Sequence, residues 1–167
     1  MEETIWDVSA VKEWLIEYRE KERDIDNQIE RLERFIIKMT SVGAQVISGM
    51  PRAPGTTGDR IGGMIGQKEE LEASIRSDVM EQSEKRKLIE SILAQIRRSD
   101  ERAVIRMRYI DRESWNTVAE LMFGRREDYE GKEDTYLRTV HKDHGPALQN
   151  MAQVMSEDPN MPAPAKQ

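Results

Sequence analysis

With 167 residues, 35% of them charged, 37% hydrophobic and 5% aromatic, the chain has room for one or two domains. It suits long exposed helices around a small core, not a large enzyme interior. The absence of cysteine excludes disulfides, thiolate catalysis and cysteine-based zinc sites, and it fits a reducing compartment. A net charge of −6 argues against nucleic-acid binding by the chain as a whole, yet the charge is uneven: six arginines stand against Asp100, Glu101 and Asp111 between Arg97 and Arg112.

The opening MEETIWDVS is acidic and has neither the basic nor the apolar region of a signal peptide. No apolar run approaches the length of a membrane span. A first helix is expected from Asp7, with Trp6 before it packing on Val11. Val8, Val11, Leu15, Tyr18, Glu22, Ile25, Ile29, Leu32, Ile36 and Met39 then recur at alternating steps of three and four, a heptad seam. Glu22 is the one charge in it. Thr40 to Arg60, with Gly43, Gly49, Pro51, Pro54, Gly55 and Gly58, reads as a connecting loop. Gly62, Gly63 and Gly66 lack the Gly-Lys-Ser/Thr ending of a phosphate-cradling loop and read as a flexible helix entry.

A second long helix is expected from Asp59 to Arg97. Ile61, Met64, Lys68, Leu71, Ile75, Asp78, Gln82, Lys85, Ile89, Ile92 and Ile96 continue the heptad frame. Its polar middle could face Glu22 if the two helices fold back antiparallel, with Lys85 or Arg86 offered to that carboxylate. The reading is an all-α protein: a long antiparallel coiled-coil hairpin over 1–97 with its loop at about 40–60, a helix-turn-helix domain over 98–155, and a disordered tail over 156–167, where SEDPNMPAPAKQ is rich in proline.

The segment after Arg97 is the informative one. Ser99 is read as a helix cap, with Asp100 and Glu101 in the first turn. RAVIRMRYI alternates basic and apolar residues. Ser114 should cap a short helix from Trp115 to Met122, with Val118, Leu121 and Met122 as its apolar stripe and Ala119 small enough for close crossing. After the charged insert GRREDYEGKED, a third helix begins near Asp134. Val140, His144, Ala147, Leu148 and Met151 share one side of it, and Arg138, His141 and Lys142 the other. Gly145-Pro146 should bend or end it.

These residues carry a resemblance. RAVIRMRYI, SWNTVAELM and TVHKDHGPAL resemble the leading, support and recognition helices of the C-terminal helix-turn-helix of bacterial sigma factors. With the preceding hairpin, and Gly-Met-Pro at 49–51, the chain is similar to phage regulators of the RinA/ArpU type. The insert between the second and third helices is longer than that module's turn.

The resemblance implies sequence-specific binding of double-stranded DNA and activation of phage late or packaging genes in the cytoplasm of a bacterial host. Arg138, Thr139, Tyr136, His141 and Lys142 would lie on the recognition helix, and Arg106 and Arg112 would hold phosphates. The arginines can equally pair with nearby acids, and Arg125, Arg126 and Lys132 of the insert read as a solvated, mobile loop. Trp115 and Tyr109 read as packing anchors.

His141 and His144 lack further ligands of matching pattern for zinc. No catalytic constellation emerges, so no enzyme activity, cofactor or metal is expected. The seams point to a homo-oligomer, most simply a dimer. Two other functions fit the same pattern: a packaging protein resembling small terminase subunits, or a protein that engages RNA polymerase or a sigma factor without touching DNA.

Overall fold

The computed structural model describes residues 5–47 and 56–164, with side chains described for 5–41 and 60–164. The protein is all-α, with no strand among the described residues. Helix α1 spans Val8–Ile47, α2 Thr56–Leu93, α3 Ser99–Ile105, α4 Trp115–Phe123 and α5 Glu133–Glu157. The two long helices pack against each other. The chain divides into two compact units, Lys21–Ser83 and the combination of Met1–Glu20 with Glu84–Gln167.

The unit Lys21–Ser83 comprises the later part of α1 and the earlier part of α2. Ile25 and Ile75, both seam positions, are buried. Within the polar middle, Asp78 is held by two side chains of α1. Asp78 accepts hydrogen bonds from Lys21 Nζ at 2.9 Å and Gln28 Nε2 at 3.1 Å. These bonds hold the Asp78 carboxyl below its ordinary range, because both stabilise the charged form. The helices also run further into the expected loop. Helix α1 continues to Ile47 through Gly43, and α2 begins at Thr56. One glycine costs about 1 kcal/mol, too little to stop a long propagating helix. Thr40 and Ser41 return their hydroxyls to the carbonyls of Ile36 and Ile37 at 3.0 Å, inside the helix. Gly62, Gly63 and Gly66 lie within α2, where their amides serve the helix and cannot form a phosphate loop. Gly49–Pro51, part of the resemblance, falls outside the described residues.

The second unit has its own core. Val11, Leu15 and Tyr18 of α1 meet Ile89, Ile92 and Leu93 of α2, Ile105 of α3, and Ala147, Leu148, Met151 and Met155 of α5. The start of α1 follows the sequence closely. Asp7 Oδ1 accepts from Ala10 N at 2.7 Å as a helix cap, and Trp6 joins Val11 in the buried cluster.

Three boundaries in this unit differ from the sequence reading. Helix α2 ends at Leu93, and Gln95 N and Ile96 N close tight turns onto the carbonyls of Ile92 and Leu93. Arg98, not Ser99, holds the cap position of α3, and no side chain caps it. Arg102 instead spans the junction by donating to the carbonyls of Ile96 at 2.6 Å and Arg97 at 3.0 Å.

The third difference is that Pro146 does not end α5, which runs unbroken from Glu133 to Glu157. An interior proline costs about 3 kcal/mol. Burial of Val140 and Asp143 before it, and of Ala147, Leu148 and Met151 after it, offsets that cost.

The segment after α5 is folded back rather than loose. Met161 N donates to the carbonyl of Asp158 at 3.1 Å, and the Met161 side chain packs on the main core. Trp6 Nε1 donates to the carbonyl of Pro162 at 3.2 Å, while Trp6 N donates to Ser156 Oγ at 3.0 Å. A buried indole N–H needs an acceptor, and this proline-rich segment supplies it. A proline count alone does not reveal such a contact.

Candidate nucleic-acid interface

The helix-turn-helix is built on a small cluster of its own. Val104 of α3, Val118 and Ala119 of α4 and Val140 of α5 are at most 1% exposed, with Met107, Trp115, Met122, Phe123 and Leu137 around them. Ala119 permits the close crossing the sequence suggests. Ser114 Oγ accepts from Thr117 N at 3.1 Å and caps α4. Helix α3 widens at its end, over Arg106–Ile110, where Asp111 N reaches back five residues to the carbonyl of Arg106 at 2.9 Å. Arg112 then reverses the chain with φ +63°, a left-handed conformation that is uncommon outside glycine and asparagine.

Two buried carboxylates tie α3 to α5. Glu101, 2% exposed, accepts from Arg98 Nη1 at 3.2 Å and Asn150 Nδ2 at 2.6 Å. Asp143 receives Arg98 Nη2 at 3.4 Å. Neither carboxylate stands out in the sequence; the only local signal is the Arg98–Glu101 spacing of three on a helix.

The anticipated site residues divide into two groups. Arg138, His141 and Lys142 are exposed on α5, on the side away from buried Val140. Thr139 lies beside them half-buried, its hydroxyl donating to the carbonyl of Thr135 at 3.1 Å. Of the other residues, Arg106 and Tyr136 are half-buried and Arg112 is exposed. Arg106 forks onto Glu90, with Nε at 2.9 and 3.2 Å and Nη2 at 2.7 Å from its oxygens. Tyr136 donates its hydroxyl to Asp128 Oδ1 at 2.6 Å and stacks on Phe123 at 5.0 Å. Arg112 forms the left-handed turn. Of the other arginines, Arg108 lies over the Trp115 ring at 4.7 Å and donates to the carbonyl of Glu113 at 2.8 Å.

The insert has a defined fold. Arg126 N donates to the carbonyl of Phe123, Tyr129 N to that of Arg126, and Lys132 N to that of Tyr129, at 2.9–3.1 Å. Lys132 Nζ pairs with Asp128 at 3.0 Å. The Arg126 guanidinium covers Phe123 at 5.3 Å and Tyr136 at 5.8 Å. Gly131, with φ +90°, takes the backbone turn that a side chain would resist. Asp128, Lys132 and Glu133 are spent on the insert's own closure, and Tyr129 packs against Tyr136 near the start of α5.

Trp115 also anchors the two histidines, His141 at 4.6 Å and His144 at 4.8 Å between ring centres. The Tyr109 hydroxyl and His144 Nε2 are 2.9 Å apart and share a hydrogen bond. Burial, with the charges of Lys12, His141 and Arg108 nearby, lowers the His144 pKa to about 4, so the ring is neutral at physiological pH. No group of three or more metal-ligating side chains occurs among the described residues.

The unfolded His144 ring takes up a proton near pH 6.5 and the folded ring only near 4, so the unfolded state binds more protons between these values. Stability should be full above pH 6.5 and should fall on acidification toward pH 4. The ring keeps some solvent contact, which reduces the effect to about 1–2 kcal/mol. Urea titrations at pH 7 and pH 4.5 should lose that increment in a His144→Gln variant. An unchanged pH dependence would assign it to other groups.

No protein-family model, no curated protein and no solved structure matches the chain.

Proposed function

We propose that the protein binds duplex DNA in a sequence-dependent way and regulates transcription, with the first three turns of α5 as the reading element. One observation carries the reading. Val140 is fully buried against Val104, Val118 and Ala119, while Arg138, His141 and Lys142 face outward on the same helix. A helix held from behind by a small-residue crossing, with cations on its free side, is the form that enters a major groove. The Arg138 guanidinium can fork onto guanine O6 and N7, and the Lys142 ammonium can meet a phosphate. Arg106 and Tyr136, engaged by Glu90 and Asp128, are not assigned to DNA. Glu133 and Asp134, exposed in the first turn of α5, stabilise the helix dipole and would oppose phosphates placed beside them, which favours a docking centred further along at 138–142.

Selection of bound duplexes from a random pool tests this. The native chain should enrich one motif. Arg138→Ala should relax preference at one base position by about 1–3 kcal/mol, whereas Lys142→Ala should weaken all sequences alike. Recovery of no motif, with both variants indistinguishable from the native chain, would remove the reading.

A further inference from the structure

A cleft of about 420 Å³ opens beside the first three turns of α1, within the second unit. Trp6 and Trp14 form one wall, their rings edge to face at 6.0 Å. Pro162, Ala163 and Pro164 form the other. Asp7, Glu13 and Glu17 add carboxylates, and no cationic side chain lines the cleft among the described residues. The two prolines fix φ near −65° and push the residue before each of them to extended backbone. The strip 162–164, which forms neither helix nor strand, is thereby set for the polyproline II form. The Trp6 indole N–H donates to the Pro162 carbonyl at 3.2 Å. Flat aromatic walls suit a preformed polyproline segment, whose carbonyls stay free to accept. The chain's own strip thus shows the class of ligand that fits.

We propose that this groove docks a proline-rich segment of a partner protein, one with a lysine or arginine next to its prolines, in place of the strip 162–164. The inference does not depend on DNA binding. Three observations choose the occupant. The seated strip gives the backbone form. The carboxylates give the cation: Glu13 and Glu17, four residues apart on α1, are exposed at the cleft. The same acidic lining opposes nucleic acid and anionic lipid, which select basic surfaces. The third observation is that the strip can be exchanged. Its two prolines leave it a single backbone N–H, and the Trp6 indole bond ties it to the start of α1. A partner segment of the same form reproduces that bond. From Trp6 to Glu17 the α1 side of the cleft runs about 16 Å, the length of about five polyproline residues.

The test uses the full chain and its intrinsic fluorescence, since Trp6 and Trp14, two of the three tryptophans, line the groove. The peptide PAPAPK, capped at both ends, should give a saturable change with a Kd of about 0.1–1 mM. A capped peptide of the same length and charge, with alanine in place of every proline, should bind at least about tenfold more weakly. Pro162→Ala combined with Pro164→Ala loosens the chain's own strip and should tighten binding of PAPAPK at least about threefold. Glu17→Lys, at an exposed position, should weaken PAPAPK at least about fivefold, with helix content by circular dichroism unchanged. Absence of saturable binding in both the native chain and the double proline variant would overturn the proposal. So would equal affinity for the proline-free peptide, or a Glu17→Lys variant that binds PAPAPK as the native chain does.

Discussion

Replacing Val140 with aspartate should abolish the folded helix-turn-helix. The side chain is fully buried among Val104, Val118 and Ala119, where an ionised carboxylate would have no partner and no water. Such a substitution costs several kcal/mol, and more than about 4 kcal/mol is expected here. The partner helices would lose their shared contact at the same time. Thermal unfolding by circular dichroism should show a lost or strongly lowered transition for Val140→Asp. Val140→Ile should keep the transition close to that of the native chain, with a small packing penalty. A Val140→Asp variant as stable as the native chain would mean that α5 is not held by this residue.

The second large effect is expected at Glu101. Its two oxygens take Arg98 Nη1 and Asn150 Nδ2 in a site only 2% exposed. Truncation to alanine removes two charge-assisted hydrogen bonds and leaves a void, while Arg98 and Asn150 can turn to water. The net cost should be about 3 kcal/mol, measured by urea unfolding. Glu101→Gln keeps the volume but offers one acceptor where two donors converge, so it should fall between the native chain and Glu101→Ala. A loss below about 0.5 kcal/mol for Glu101→Ala would show that the α3–α5 contact is held by the apolar core alone.

These two sites also mark what the sequence could and could not reveal. Val140 is legible because periodicity is local: apolar residues at helical spacing, a serine cap at 114 and a small residue at 119 specify a three-helix unit. The hairpin seam is legible for the same reason. Long-range polar pairing is a different matter. Nothing in the local pattern joins Arg106 to Glu90 or Glu101 to Asn150, since each pair forms only after the helices have packed. Basic residues that look available along RAVIRMRYI are for that reason mostly engaged: Arg102 holds backbone carbonyls, Arg106 a carboxylate, and Arg108 an indole ring and a carbonyl.

Composition misleads in two further places, at Gly145-Pro146 and after Met155, each for a physical reason. GRREDYEGKED is solvated, as its composition suggests, with Tyr136–Asp128 and Lys132–Asp128 pairing across it. Gly145-Pro146 looks like a helix end, but burial on both sides carries the helix through. The prolines after Met155 look like a loose tail, yet the Trp6 indole captures the carbonyl of Pro162. In these two, a tertiary contact outweighs a local preference worth only a few kcal/mol.

The functional reading concentrates on a short exposed stretch of α5, at Arg138, His141 and Lys142. Its most direct test is the affinity of the purified full chain for duplex DNA as a function of salt, followed by fluorescence anisotropy. The account predicts binding that tightens linearly in log K as log salt falls, with Lys142→Ala reducing the slope by about 1. A chain that stays unbound to every duplex even at low ionic strength would contradict it.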